Sequence, residues 1–344
     1  VAEANDRDIL LSVQDLRVYF RGDETLAKAV DGVSFEVRKG ETVCIVGESG
    51  CGKTVTAMAI LGLIPQPPGE IVSGRILFNG RDLLHLREEE LRAIRGNHIS
   101  MVFQEPMTSL NPVFTIGDQI KEAIAVHERL AEKEIEERCI GLLRDVGIPS
   151  AGERIRDYPH QLSGGQRQRV MIAMALACNP DLVIADEPTT ALDVTIQKQI
   201  LDLFAELQSK REMSLLYISH DLNVVAGIAD TIYVMYAGVV VEQGTRDQIF
   251  DNPRHPYTMG LLNSLPHRSK RGGKLYSIHG SVPDPADKPA GCPFNPRCTY
   301  VKESCRVEFP GMCDYGAGHL ARCPILCEER GSRDEDRGVR KEPG

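Results

Sequence analysis

The sequence of 344 residues predicts an α/β fold: a largely parallel sheet around a phosphate-binding loop, followed by a small Cys-rich region. Three observations predict it. The strand-like run Thr42 to Val46 leads into a glycine-rich octapeptide, and an apolar helical stretch follows. Leu182 to Ala185 and Leu215 to Ile218 are short apolar runs, as expected of parallel strands covered on both faces. Six of the ten cysteines crowd into residues 292–327, setting that region apart.

The elements follow in order. Leu10 to Val13, Val33 to Val37 and Thr42 to Val46 read as strands separated by turn residues such as Gly22, Asp23, Gly32 and Gly40. The helical stretch after Thr54 runs to about Ile64, where Pro65, Pro67 and Pro68 end it. Residues 71–103 return to strand-and-turn composition, with Asn79-Gly80 as a hairpin signal. From about 115 to 148 the pattern is helical and charged. Ser163 has the character of an N-cap for a helix through Ala177, with Val170, Met174 and Ala177 at helical spacing. From Pro253 onward Pro and Gly become frequent and the pattern breaks. The charged residues 328–344 are expected to be a disordered tail.

Composition excludes several functions. Forty basic residues against forty-nine acidic ones give a net charge of −9, and no basic stripe is visible, so nucleic acid is not expected as a partner. The richest apolar region, Ser214 to Val241, is interrupted by His220, Asp221 and Asp230, so no membrane span is expected. Val1 to Phe20 lacks a basic region followed by an apolar one, and no secretory signal is expected. Peripheral attachment to a membrane stays open.

The octapeptide Gly47, Glu48, Ser49, Gly50, Cys51, Gly52, Lys53 and Thr54 fits G-x-x-x-x-G-K-[ST], with a strand before it and a helix after. Its glycines let backbone N–H groups turn toward phosphates, Lys53 supplies a point charge, and Thr54 offers a hydroxyl to Mg²⁺. Cys51 occupies a position that tolerates any residue and is given no catalytic role. Leu182 to Ala185 ends in Asp186 and Glu187, which would face the loop from the carboxyl end of a strand. Asp186 is then the Mg²⁺-linked carboxylate. Glu187 is placed to polarise an attacking water, because phosphoryl transfer needs positioning and charge more than covalent chemistry.

Leu162-Ser163-Gly164-Gly165-Gln166 lies between these two motifs, and the set resembles the signature of the ABC-type ATPases. Gln104 in Val102-Phe103-Gln104-Glu105, Ala191-Leu192-Asp193, and His220 in Ile218-Ser219-His220-Asp221 match too. The resemblance covers about residues 8–250. It implies a P-loop ABC-type nucleotide-binding domain: a RecA-like core with an antiparallel β subdomain and a helical subdomain at about 105–160, the whole spanning 1–250. It implies a head-to-tail dimer, with ATP held between the phosphate loop of one cassette and Ser163, Gly164, Gly165 and Gln166 of the other. A Ser-Gly-Gly helix start suits an anion, and its own loop has no use for a second such site. By the same resemblance Gln104 senses Mg²⁺ and the transport machinery, Asp193 crosses the dimer interface, and His220 contacts the γ-phosphate. Phe20 is favoured to stack on adenine. Its neighbour Tyr19 points to the other face of an extended segment.

Finer likeness extends further. Phe103 to Pro112, His255-Pro256-Tyr257-Thr258 with Leu261 to Pro266, and Gly291 to Cys298 are similar to the ATPase subunits of bacterial dipeptide and oligopeptide importers. Nickel and some sugar-derived importers share these motifs. The implied partners are two integral membrane permeases, a second ABC ATPase that is a paralogue, and indirectly an extracytoplasmic solute-binding protein. The implied location is the cytoplasmic face of the inner membrane. A DNA-associated ATPase of the same type would need a long coiled-coil insertion. Here only 109 positions separate Lys53 from Leu162, without sustained heptads.

The same likeness extends through residues 251–327 as a C-terminal module, in which Cys292, Cys298, Cys305 and Cys323 match a pattern that implies a [4Fe–4S] cluster. The bare chemistry of four thiolates allows Zn²⁺ or the cluster. Structural zinc usually draws two close pairs, and only Cys323 and Cys327 make one, so the wider spacing favours the cluster. Cys313 and Cys327 are spares on this reading. Six unligated thiols are the bland alternative. A small module with few large apolar residues is expected to need a metal staple.

Overall fold

The computed structural model describes residues 8–104, 109–190, 192–265 and 277–324. Residues 1–7, Glu105 to Thr108, Ala191, Pro266, Cys327 and the expected tail 328–344 lie outside the described residues.

Two sheets organise the chain. The first is antiparallel, in the order β2-β1-β4-β5, formed by β1 (Ile9–Arg21), β2 (Leu26–Arg38), β4 (Gly69–Phe78) and β5 (Arg81–Asp82). Its first two strands are far longer than the apolar runs that announce them. Ladder pairing carries their polar outer positions along, from Ile9↔Arg38 to Arg21↔Leu26. Asn79 and Gly80, at φ 48° and 77°, make the turn between β4 and β5.

The second sheet has the order β11-β12-β10-β9-β3-β8-β7-β6. Strands β3 (Thr42–Val46), β6 (Ile99–Val102), β7 (Leu182–Asp186), β8 (Ser214–Ser219) and β9 (Thr231–Tyr236) are parallel. The edge beyond β9 is antiparallel: β10 (Val239–Thr245), then β12 (Leu320–Ala321) and β11 (Cys313–Asp314). Because successive strand residues face opposite sides, each parallel strand feeds two cores. Val43, Ile45, Leu182, Ile184, Leu216 and Ile218 pack toward the antiparallel sheet. Cys44, Val46, Val183, Ala185, Leu215 and Tyr217 pack on the other side.

The helical segment between β6 and the signature contains helices Ile116–Ala125, Glu132–Asp145 and Ala151–Arg154. Ile116, Ile120 and Ile124 recur on one face of the first and join the second core. The helix after the phosphate loop, Lys53–Ile60, ends four residues before the expected Ile64. No helix among the described residues is long and apolar enough to cross a membrane.

The C-terminal region departs most from expectation. The broken pattern after Pro253 contains a helix, Pro256–Asn263, with proline in its first turn and His255 Nδ1 accepting the Tyr257 N–H at 3.1 Å. The Cys-rich stretch is not a freestanding module, because β12 pairs with β10 at Glu242↔Ala321 and Gln243↔Leu320. It also borrows a core. Phe294 meets Tyr236 edge-on at 5.2 Å and lies 5.4 Å from Tyr257. Cys292, Cys305 and Cys323 are buried in the same apolar cluster as the central sheet. The expected shortage of core is therefore met by packing on the rest of the chain.

Candidate functional site

Parallel strands put their carboxyl ends on one side of the sheet, and four adjacent strands deliver the site there. The phosphate loop follows β3, Gln104 follows β6, Glu187 follows β7 and His220 follows β8. The loop's glycines are required by close approach: a Cβ on Gly47 would lie 2.2 Å from the Met235 carbonyl oxygen. One on Gly52 (φ 102°) would lie 2.4 Å from that of Ala29. The resulting cavity of about 340 Å³ is lined by Ala29, Ser49, Gly50, Gly52, Lys53, Thr54, Val55, Gln104 and Glu187.

Lys53 is buried with its ammonium inside the loop. It donates to the carbonyls of Gly47 at 2.8 Å and Glu48 at 3.1 Å, and stands 3.7 Å from Glu187. Thr54 Oγ1 donates to Asp186 Oδ1 at 3.2 Å. Burial raises the Asp186 pKa, and the Thr54 hydroxyl partly offsets it. Two hard oxygen donors side by side fit Mg²⁺, so Thr54 and Asp186 would hold it. When bound, the ion neutralises charge on the β- and γ-phosphates. Gln104 turns its amide to Glu187 instead.

Glu187 is the meeting point. Its Oε2 accepts from Gln104 Nε2 at 3.2 Å and Thr190 Oγ1 at 3.0 Å, and contacts His220 Nδ1 at 2.9 Å. The residue sits at φ 46°, a conformation a non-glycine residue rarely adopts. Its N–H donates to the Ile218 carbonyl at 2.9 Å, which fixes it there. The three residues expected to act in catalysis thus come together. Thr190 was not anticipated, although a threonine three residues after a carboxylate is placed to reach back to it.

The other expected residues lie apart from the cavity. Ser163 caps the helix Gly164–Ala175 reciprocally with Gln166: Gln166 Oε1 accepts the Ser163 N–H at 3.0 Å, and Ser163 Oγ the Gln166 N–H at 3.3 Å. Gly165 is needed because its Cβ would meet Ile196 at 2.8 Å. Asp193 caps the helix Val194–Arg211, its Oδ1 accepting from Thr195 and Ile196 N–H groups at 3.0 Å each. Phe20 is half-buried beside Gly69 and does not line the cavity, while the Tyr19 hydroxyl donates to Asp31 at 2.8 Å. Cys51, within the loop, is fully buried.

The four expected cysteines, Cys292, Cys298, Cys305 and Cys323, line one small cavity of about 20 Å³. Burial pushes the Cys292 thiol up to about 11. Among the described residues, no group of three or more His, Cys, Asp or Glu side chains is arranged to hold a metal ion.

Comparisons with known proteins agree with this geometry. Residues 30–190 match the ABC transporter family, and residues 241–305 match the oligopeptide/dipeptide transporter C-terminal region. The chain is 51% identical over 314 residues to the dipeptide transport ATP-binding protein DppD of Bacillus subtilis (strain 168), covering 91% of this chain and 94% of the relative. It is 50% identical over 322 residues to the protein of the same name from Escherichia coli (strain K12), covering 94% and 98%. Among solved structures, a dimeric ATP-binding cassette in a post-hydrolysis state with ADP and Pi is 27% identical with a TM-score of 0.62, covering 69% of this chain and 98% of that one. With this fold, this site and these relatives, the chain belongs to the ABC transporter family, as an ATP-binding subunit carrying the oligopeptide/dipeptide-type C-terminal region.

Proposed function

We propose that this chain hydrolyses ATP at a head-to-tail dimer of cassettes and so drives solute import, with dipeptides or oligopeptides as the cargo. The observation that carries the proposal is the Glu187 carboxylate, held by Gln104, Thr190 and His220 beside the phosphate loop. A carboxylate fixed there can orient water toward a γ-phosphate, and Lys53 takes up developing negative charge. His220 is poised to hold the γ-phosphate region while its Nδ1 engages Glu187. The signature helix presents N–H groups outside this cavity, in keeping with a site completed by a second cassette. The relatives' names support the peptide class.

The partners fit a groove of about 350 Å³ between β6 and the helical segment, lined by Leu63, Met101, Phe103, Val126, Met171 and Met174 among others. Its apolar lining suits a short amphipathic helix of a permease, which would hold the chain at the cytoplasmic face of the inner membrane. Its position next to Gln104 would link docking to the site. The second ATPase is a paralogue and the solute-binding protein acts through the permeases.

Glu187→Gln tests the chemistry. It should retain ATP binding and lower turnover roughly 10²–10⁴-fold, whereas Lys53→Ala should weaken binding itself. Near wild-type turnover by Glu187→Gln in the assembled complex would remove Glu187 from its role.

For the cysteines the proposal is a [4Fe–4S] cluster as a structural cross-link. What supports this reading is that the four thiols line one cavity. Anaerobic purification should yield iron and acid-labile sulfide with visible absorption. Stoichiometric zinc without iron would replace the cluster by the zinc site, and absence of both would leave a thiol-lined core.

A further inference from the structure

Glu48 is the second residue of the phosphate loop, yet it does not line the phosphate cavity. Its carboxylate is gripped from the far end of the chain. Arg297 donates to Glu48 Oε2 through Nη1 at 2.6 Å and to Oε1 through Nη2 at 3.0 Å, with the guanidinium side chain only 5% exposed. Arg297 is itself fixed. Its Nε donates to the His279 carbonyl at 2.8 Å, and its guanidinium carbon lies 5.7 Å from the Tyr236 ring centre. It ends the 3₁₀ turn Asn295–Arg297 between Cys292 and Cys298, and Asn295 Nδ2 ties that turn to the Cys292 carbonyl at 2.8 Å.

We infer that Arg297 is a positioning residue of the nucleotide site, holding Glu48 so that the phosphate loop keeps its binding-ready shape. The inference rests on reading Gly47 to Thr54 as the ATP site. A loop containing Gly47, Gly50 and Gly52 has much conformational entropy to lose when it orders around phosphates. Glu48 is the residue through which that entropy is removed beforehand. Arg297 fixes its side chain, the Tyr257 hydroxyl accepts its N–H at 2.9 Å, and its carbonyl accepts from Lys53 at 3.1 Å. A displaced Glu48 therefore displaces an anchor of Lys53. A two-pronged pair whose guanidinium is buried is more directional than a fully exposed ion pair. The C-terminal region thereby contributes to nucleotide affinity from outside the cavity.

Preorganisation improves binding of substrate and transition state alike, so its loss should appear in KM and Kd rather than in kcat. The test uses the full chain with Glu48→Gln, Arg297→Gln, the double variant and Arg297→Lys. Fluorescent trinitrophenyl-ATP reports Kd, and hydrolysis in the assembled transporter reports KM and kcat. Each single Gln variant should weaken binding on the order of tenfold with kcat nearly unchanged. The double variant should be no worse than the worse single one, and Arg297→Lys should fall between, since one charge without the fork restores part of the grip. Should Arg297→Gln fail to fold, Glu48→Gln decides, because its amide still accepts a hydrogen bond from Arg297. Wild-type Kd and KM in folded Glu48→Gln, strictly additive effects, or a fall in kcat with unchanged KM would each overturn the inference. Lys53→Ala separates the two levels: if it bound ATP normally, the reading of the site itself would fail, whatever Arg297 does.

Discussion

At the scale of single residues, the site is a set of charges whose neighbours decide their roles. Lys53 and Glu187 are buried, and each has partners that survive loss of one contact. Lys288 is different. Its ammonium lies 3.8 Å from Asp31 and has no hydrogen-bond partner among the described residues, and burial pushes its pKa down to about 8. Asp31 already has the Tyr19 hydroxyl and, at 3.6 Å, Arg17. Lys288→Met should therefore be neutral or stabilising by about 1 kcal/mol at pH 7, since replacing a poorly compensated buried charge removes its desolvation cost. The sign with pH follows from linkage. Between pH 8 and the ordinary lysine value of 10.5, only the unfolded chain keeps the proton, so wild-type stability gains as pH rises through that window. The advantage of Lys288→Met should shrink over the same interval in urea titrations. A constant difference from pH 7 to 10 would contradict the assigned environment.

The phosphate loop was legible in the sequence because its strand, loop and helix are consecutive and each carries its own local signal. Asp186 and Glu187 were legible because they end a short apolar strand, whereas Gln104 and His220 were singled out only by the resemblance to ABC-type ATPases. The Arg297–Glu48 pair was not. Its partners are 249 residues apart, and neither sits in a pattern that points to the other.

At the scale of elements, the edge of the large sheet is the least foreseeable part. Strands β11 and β12 have two residues each, too short for any period to register. What holds β12 on β10 includes a buried polar contact as well as the ladder: His319 Nε2 lies 2.8 Å from Glu242 Oε1, and Glu242 is fully buried. Glu242 also accepts the N–H groups of Arg254 and His255 at 2.6 and 2.9 Å, which joins the entry to the helix Pro256–Asn263 to the same point. His319→Ala should cost about 1–3 kcal/mol in denaturant titrations, the penalty for leaving a buried acceptor short of a donor. Stability within a few tenths of wild type would show that water or a neighbour replaces the imidazole. The helix Gly164–Ala175, by contrast, was readable to within two residues of its end, because Ser163 and Gln166 form a local capping box.

The groove beside β6 belongs to the same scale and makes a prediction about coupling. Val126 lies just past the helix Ile116–Ala125 and is 71% exposed on the groove's rim, so a charge there does not threaten the core. Val126→Glu should leave ATP binding intact while lowering transport-coupled hydrolysis, because an apolar contact with the permease is replaced by a desolvated charge. Crosslinks to the permease confined to residues after Cys323 would argue against this docking face.

At the scale of the whole molecule, one sheet joins what the sequence divides. The long Cys-poor part and the short Cys-rich part read as separate units because composition changes abruptly near Pro253. In the fold they share a sheet and a core, and the second part supplies Arg297 to the loop of the first. Composition reports local chemistry, whereas pairing and packing depend on distant partners. The signature illustrates the opposite case: its helix start is fully formed and capped by local residues, yet stands away from the phosphate cavity, as the proposed head-to-tail dimer requires.

The coupling of ATP turnover at Glu187 to import is open to direct test. The chain is reconstituted with its permeases and partner ATPase in proteoliposomes, and uptake of a labelled dipeptide is followed with ATP on the cassette side, using wild type and Glu187→Gln. Wild type should show uptake coupled to hydrolysis. Glu187→Gln should lose both, with nucleotide binding retained. Sustained uptake by Glu187→Gln, or wild-type hydrolysis that proceeds without any uptake, would rule out coupling through Glu187.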